Sequence, residues 1–133
     1  MTKKTYLLLD DVRRPFDVFL YTFKLKYLFR KWVIVRNYKE LKEWVFKNGL
    51  PYFISFDHDL HPSHYTPKEY WSDYEVSKKW QEAQPKIERN GEDCASMIRR
   101  YYRVRYWETK PKFYVHSKNP VGRDKILKIL NSF

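Results

Sequence analysis

A single cysteine, Cys94, is all the thiol the 133-residue chain carries. No disulfide can form within the chain, and a zinc site built on several thiolates is excluded. Long apolar runs are missing as well. After Lys3 and Lys4 the apolar stretch ends at Leu9, too short for a signal peptide, and no segment approaches the roughly 20 residues of a membrane span. The expected setting is therefore the cytoplasm, with no membrane partner. Internal repeats and low-complexity segments are absent, and the length suits one domain over residues 1–133 and is too short for two. Acidic side chains are outnumbered, 16 against 27 basic, for a net charge of +11, and 20% of the chain is aromatic. Such a surface suits a nucleotide or nucleic acid, because phosphates seek the charge and bases stack on the rings. Lys and Arg are nevertheless scattered along the chain, so charge alone does not select that partner.

Glycine is scarce too, and each of the three, Gly49, Gly91 and Gly122, falls at a predicted helix boundary. Apolar runs predict strands at Thr5–Leu9, Trp32–Val35, Tyr52–Phe56 and Phe113–Val115. Phe16–Phe29 is too dense in aromatic and Leu residues for a clean period and reads as a loop or irregular helix. Asn37 reads as the N-cap of a helix over Tyr38–Lys47, with Leu41, Trp44 and Val45 on one face. Further helices are predicted at Gly91–Tyr102, with Cys94, Ala95 and Ile98 inward, and at Arg123–Leu130. Residues His61–Asn90 contain Pro62, Pro67 and Pro85 and spread Tyr65, Tyr70, Trp71, Tyr74 and Trp80 among charges. A connection this long reads as a flap over a site, with a short helix at Glu75–Ala83. The alternation predicts an α/β three-layer sandwich with a mostly parallel sheet in the order 2-1-3-4.

Three of these strands end abruptly in polar groups: Asp10-Asp11 after the first, Asp57-His58-Asp59 after the third, His116-Ser117 after the fourth. In a parallel sheet those ends share one edge, where α/β proteins bind ligands. Asp10, Asp11 and Asp57 crowded together would repel one another unless a hard cation such as Mg2+ or Mn2+ sat among them. Asp59 is expected to cap a turn. His58 and His116 on neighbouring strand ends would serve as base and acid. Arg13 could grip a phosphate or neutralise the carboxylates beside it. Ser117 and Asn119 offer hydrogen bonds, the amides around Gly122 an anion seat, and Lys118 a positive charge. His61 and His64 are assigned to the loop without a catalytic role.

Taken together, LDDVRRP at Leu9–Pro15, ISFDHDL at Ile54–Leu60, GEDCA at Gly91–Ala95 and VHSKNPVG at Val115–Gly122 resemble the cyclic-phosphate processing receiver-like family, a catalytic offshoot of the response-regulator receiver fold found in bacteria and phages. The resemblance spans nearly the whole chain apart from His61–Asn90. It implies a flavodoxin-like sandwich and hydrolysis of a cyclic phosphate on a nucleotide or RNA end, in the host cytoplasm if a phage encodes the chain. The motifs match at Asp10, Asp11 and Arg13, at Asp57, His58 and Asp59, and at His116, Ser117, Asn119 and Gly122. His61 stands where similar sequences often have Gly, and the long aromatic insert is atypical. Compared with an ordinary receiver, Asp57 matches the phospho-accepting aspartate and Ser117 the small hydroxyl residue, but no fifth strand carrying the receiver's lysine is evident. Beside a metal-assisted phosphodiesterase stand a metal-free variant using only the histidines and two alternatives of another class: a receiver that signals through Asp57, and a noncatalytic nucleic-acid binder acting through charge and aromatics.

Overall fold

The computed structural model describes residues 4–105 and 107–133. Four parallel strands, β1 (Tyr6–Leu9), β2 (Trp32–Val35), β3 (Phe53–Phe56) and β4 (Lys112–Val115), lie in the order β2-β1-β3-β4. This is the predicted architecture. Every residue of the central β3 is buried, as expected of a strand covered on both faces.

Side chains alternate across the sheet, so each strand feeds two cores. One face carries Leu7, Leu9, Val35, Ile54, Phe56 and Val115 against α3 (Tyr38–Asn48), α5 (Gly91–Val104) and α6 (Pro120–Leu130). The other carries Leu8, Ile34 and Tyr114 against α1 (Pro15–Thr22) and α2 (Lys26–Phe29), through Val18 and Tyr27. The segment read as a loop or irregular helix is thus two short helices. They break at Phe23, whose backbone turns left-handed at φ 55°, and lose the helical period because Phe16, Leu20, Phe23 and Phe29 remain exposed.

Helix starts follow local chemistry. Asn37, Asp73 and Asn90 each accept a backbone N–H of the first turn, opening α3, α4 (Tyr74–Ala83) and α5. The last helix begins at Pro120 rather than Arg123, because Asn119 is its cap and proline suits the first helical position. Residues His61–Asn90 form two short 3-10 turns, Pro62–His64 and Lys68–Tyr70, followed by α4. His64 fastens this excursion at both ends: Nδ1 accepts from the Leu60 amide at 2.9 Å and Nε2 meets the Glu88 carbonyl at 2.8 Å. No helix among the described residues is long and apolar enough to cross a membrane.

Two of the three glycines sit where the backbone comes closest. The Gly91 amide donates to the His58 carbonyl at 2.8 Å, and a Cβ there would overlap the Asp57 carbonyl oxygen. A Cβ on Gly122 would overlap the His58 ring. The starts of α5 and α6 are therefore pressed against the end of β3. Gly91→Ala should destabilise the fold by about 1–3 kcal/mol, the usual cost of overpacking against unyielding backbone, read as a lower urea midpoint with an unchanged slope. An unchanged midpoint would contradict this packing.

Candidate functional site

Strand register builds the centre of the site. Leu9, Phe56 and Val115 are aligned across β1, β3 and β4 and point into one core. The ladder continues one residue further through Asp57 N to Leu9 O at 3.0 Å and His116 N to Phe56 O at 2.9 Å. Alternation then turns Asp10, Asp57 and His116 together to the opposite face, as a single buried row.

Arginine supplies the positive charge in that row. Arg13 Nη1 stands 3.2 Å from Asp10 Oδ2 and 3.7 Å from Asp57 Oδ2. Asp10 Oδ1 accepts the amides of Val12 at 3.0 Å and Arg13 at 2.8 Å, while His116 Nε2 lies 2.9 Å from Oδ2. Arg36 braces the turn by donating to the carbonyls of Asp10 and Arg13 at 3.1 and 2.7 Å. Burial would raise Asp10, but the His116 hydrogen bond and the two amides outweigh it and bring the carboxyl down to about 2. Asp57 lacks that support. Burial first, and the negative charge of Asp10 second, push it up to about 8, against the opposing pull of Arg13. The two carboxyls are pushed apart: Asp10 is the more readily ionised, and Asp57 the one that favours keeping a proton.

His116 is fixed at both ring nitrogens. Nδ1 meets Ser55 Oγ at 2.7 Å, and Ser55 Oγ meets Tyr27 Oη at 2.5 Å. Burial lowers the imidazole despite Asp10, and a neutral ring donating from Nε2 satisfies the whole chain from Tyr27 through Ser55 and His116 to Asp10. Tyr21 closes the row by donating to the His116 carbonyl at 2.6 Å.

His58, one residue past Asp57, belongs to a different arrangement. Its Nδ1 lies 2.8 Å from Asp59 Oδ1. Asn119 Nδ2 donates to the same Asp59 oxygen at 3.2 Å and exchanges amide hydrogen bonds with Gln81 of α4 at 3.2 and 3.3 Å. Among the described residues Nε2 has no protein partner, and the ring lines a cavity of about 230 Å³ beneath α4. A carboxylate orienting one nitrogen while the other faces open space is the arrangement of a proton-transfer histidine.

Compared with protein-family models, residues 5–132 match the cyclic-phosphate processing receiver domain. The chain belongs to this family. No curated protein and no solved structure matches it.

Within this receiver-like fold the predicted residues divide into two groups. Asp10, Asp57, Arg13 and His116 converge as one row; His58, Asp59 and Asn119 converge beside it under the flap. Ser117 is buried, and its Oγ accepts the Asn119 amide at 3.1 Å. Three predicted features, at Asp11, Asp59 and Gly122, are placed differently from the expectation. Asp11 lies outside the row, its carboxylate bonded by Tyr65 Oη at 3.1 and 3.0 Å. Asp59 orients His58 instead of capping a turn. The Gly122 amide is no free anion seat, since Asn119 Oδ1 accepts it at 3.1 Å. Lys118 lies over the Tyr21 ring, 4.4 Å from its centroid.

Asp10, Asp57 and His116 each offer a ligand atom within 4.8 Å of the others. This set does not suit a resident Mg2+ as arranged. The lone pairs of Asp10 are filled by four donors, His116 Nε2 is turned onto Asp10, and the Arg13 guanidinium stands beside both carboxylates where a cation would go. Tyr21, Tyr27, Ser55 and Gln81 were not singled out as site residues from the sequence. Ser55 carried the one usable signal, a hydroxyl inside a fully buried strand, which requires a partner.

The raised Asp57 has a consequence for stability. Between about pH 4 and 8 the folded chain keeps that proton while the unfolded chain loses it, so stability falls as pH rises through this window. Asp10 acts oppositely, its contribution present above about pH 4 and lost as pH falls toward 2. Asp57→Asn should therefore raise the melting temperature increasingly with pH, by more than about 4 °C at pH 9. Parallel melting curves from pH 4 to 9 would contradict a buried, protonated Asp57.

Proposed function

We propose that the protein hydrolyses a cyclic phosphate on a nucleotide or RNA terminus in the cytoplasm, without a resident metal ion. The observation that carries this reading is His58: held at Nδ1 by Asp59, without a partner at Nε2 among the described residues and lining a cavity, in a family defined by cyclic-phosphate processing. The net charge of +11 supplies long-range attraction for an anionic nucleotide or RNA end.

In the proposed reaction His58 Nε2 takes a proton from water as its oxygen bonds to phosphorus. The bond from phosphorus to one ring oxygen breaks, and the departing alkoxide receives the Asp57 proton. Arg13 balances the charge that builds on the phosphorus oxygens and on Asp57 as it ionises. Asp10 and His116 act as positioning residues that hold Arg13, while Asn119 and Ser117 keep Asp59 and the start of α6 in place. Lys118, exposed just beyond β4, adds positive charge to this edge of the sheet. The role of acid thus passes from His116 to Asp57, because both His116 nitrogens are engaged within the fold. The raised pKa of Asp57 weighs against a phospho-accepting role, which needs an ionised carboxylate.

Turnover of 2′,3′-cyclic mononucleotides, RNA with a cyclic end, 3′,5′-cyclic nucleotides and cyclic dinucleotides, each with EDTA and with Mg2+, tests the proposal. One class should be cleaved equally under both conditions, and His58→Ala should lose about 10²–10⁴-fold of that rate. Silence of the folded wild-type chain across the panel, or full activity in His58→Ala, would overturn it. The active form needs Asp57 protonated, so the rate should decline as pH rises through about 8; a rate still climbing at pH 9.5 would remove Asp57 as the acid.

A further inference from the structure

The insert raises a wall over His58 that the proposed chemistry does not itself require. That wall is held at several points. Tyr74 Oη, at the start of α4, donates to Asp124 Oδ2 at 2.9 Å, and Gln81 bonds both Thr66 Oγ1 at 3.1 Å and Asn119. Near its end, Glu82 pairs with Lys125 at 3.7 Å. α4 is thereby docked on α6, and the cavity between them has fixed walls.

The character of those walls identifies a ligand. Trp80 is among the residues that line the cavity, and its indole has no ring or cation partner among the described residues. Its neighbour Gln81 lines it too, its amide held between Thr66 and Asn119. The cavity carries Glu82, Glu88 and Glu92 against Lys86 and Lys125, and Lys86 is bound to Asp93 at 2.6 Å. An excess of carboxylate over free cation disfavours a second phosphate and suits a flat, neutral, hydrogen-bonding group. At about 230 Å³ the cavity falls below the range of about 300–1,000 Å³ usual for drug-sized ligands, which limits it to one base.

We propose that the insert forms a nucleobase site: the base of a single nucleotide stacks on Trp80 while its cyclic phosphate meets His58. This inference rests on the phosphodiesterase reading and names its substrate as a base-bearing nucleotide rather than a bare sugar phosphate. Gln81 couples the two, since the amide beside the base also holds the Asn119 that fixes Asp59.

The test compares base-bearing and base-free esters: 2′,3′- and 3′,5′-cyclic adenosine phosphates against the corresponding 1-O-methylribose cyclic phosphates, by turnover and by calorimetric binding to the wild-type chain. The base should tighten binding about 5- to 150-fold, the range seen for stacking one base on an aromatic ring. Trp80→Leu should remove that advantage by raising KM for the base-bearing ester alone, with kcat little changed. Trp80→Phe should retain most of it, and Trp71→Leu, on the exposed side of the insert, all of it. Equal handling of the two ester types by the wild type, or discrimination surviving in a folded Trp80→Leu, would overturn the base site and leave the hydrolase reading intact. Failure of both esters of each pair to bind or react would instead remove the hydrolase reading, and the base site with it.

Discussion

One guanidinium placed between two buried carboxylates governs this structure. Asp10 and Asp57 are forced together by the register of β1 and β3, and two such charges cannot both be carried away from water without compensation. Arg13 answers part of that demand, and the turn that delivers it is itself built on Asp10, whose carboxylate accepts the Val12 and Arg13 amides. The remaining imbalance falls on Asp57, which keeps its proton. A structural requirement for charge balance in the core thus leaves a carboxyl of raised pKa at the end of the central strand.

The rest of the site is organised by close approach. Gly91 and Gly122 let two helices pack against Asp57 and His58, where a methyl group would overlap backbone or ring. This packing buries His58 and aims it beneath the insert, whose α4 reaches back through Gln81 to Asn119. The family match runs through the insert, from residue 5 to 132. Within that span the insert contributes the walls of a cavity, and the family motifs contribute the groups at its floor.

Much of this was legible in the sequence. Four apolar runs, their order and the helices between them followed from periodicity and caps, and the three polar strand ends did meet at one sheet edge. The finer grouping was not, for a physical reason. Alternation persists one residue beyond each strand, so Asp10, Asp57 and His116 share a face while Asp11 and His58 turn away. Reading adjacent acidic residues as one cluster ignored that period. His116 looked like a free acid because its partners, Ser55 and Tyr27, lie 61 residues and further away in sequence and meet it only through the fold. Phe16–Phe29 defeated periodicity because both faces of its short helices are apolar, one buried and one exposed. Gln81 had no local signal at all; it acquires its role from Asn119, brought by another element.

The central question is whether Arg13 and a proton held by Asp57, rather than a metal ion, balance the Asp10–Asp57 pair. The measurement that tests this most directly is a carbon-13 NMR titration of the Asp57 side-chain carboxyl in metal-free buffer, assigned by comparison with Asp57→Asn. A midpoint near 8, unchanged by millimolar Mg2+, is the predicted result. A midpoint near the ordinary carboxylate value of about 4, or one that Mg2+ drives down, would contradict it and return the row to a metal-binding role.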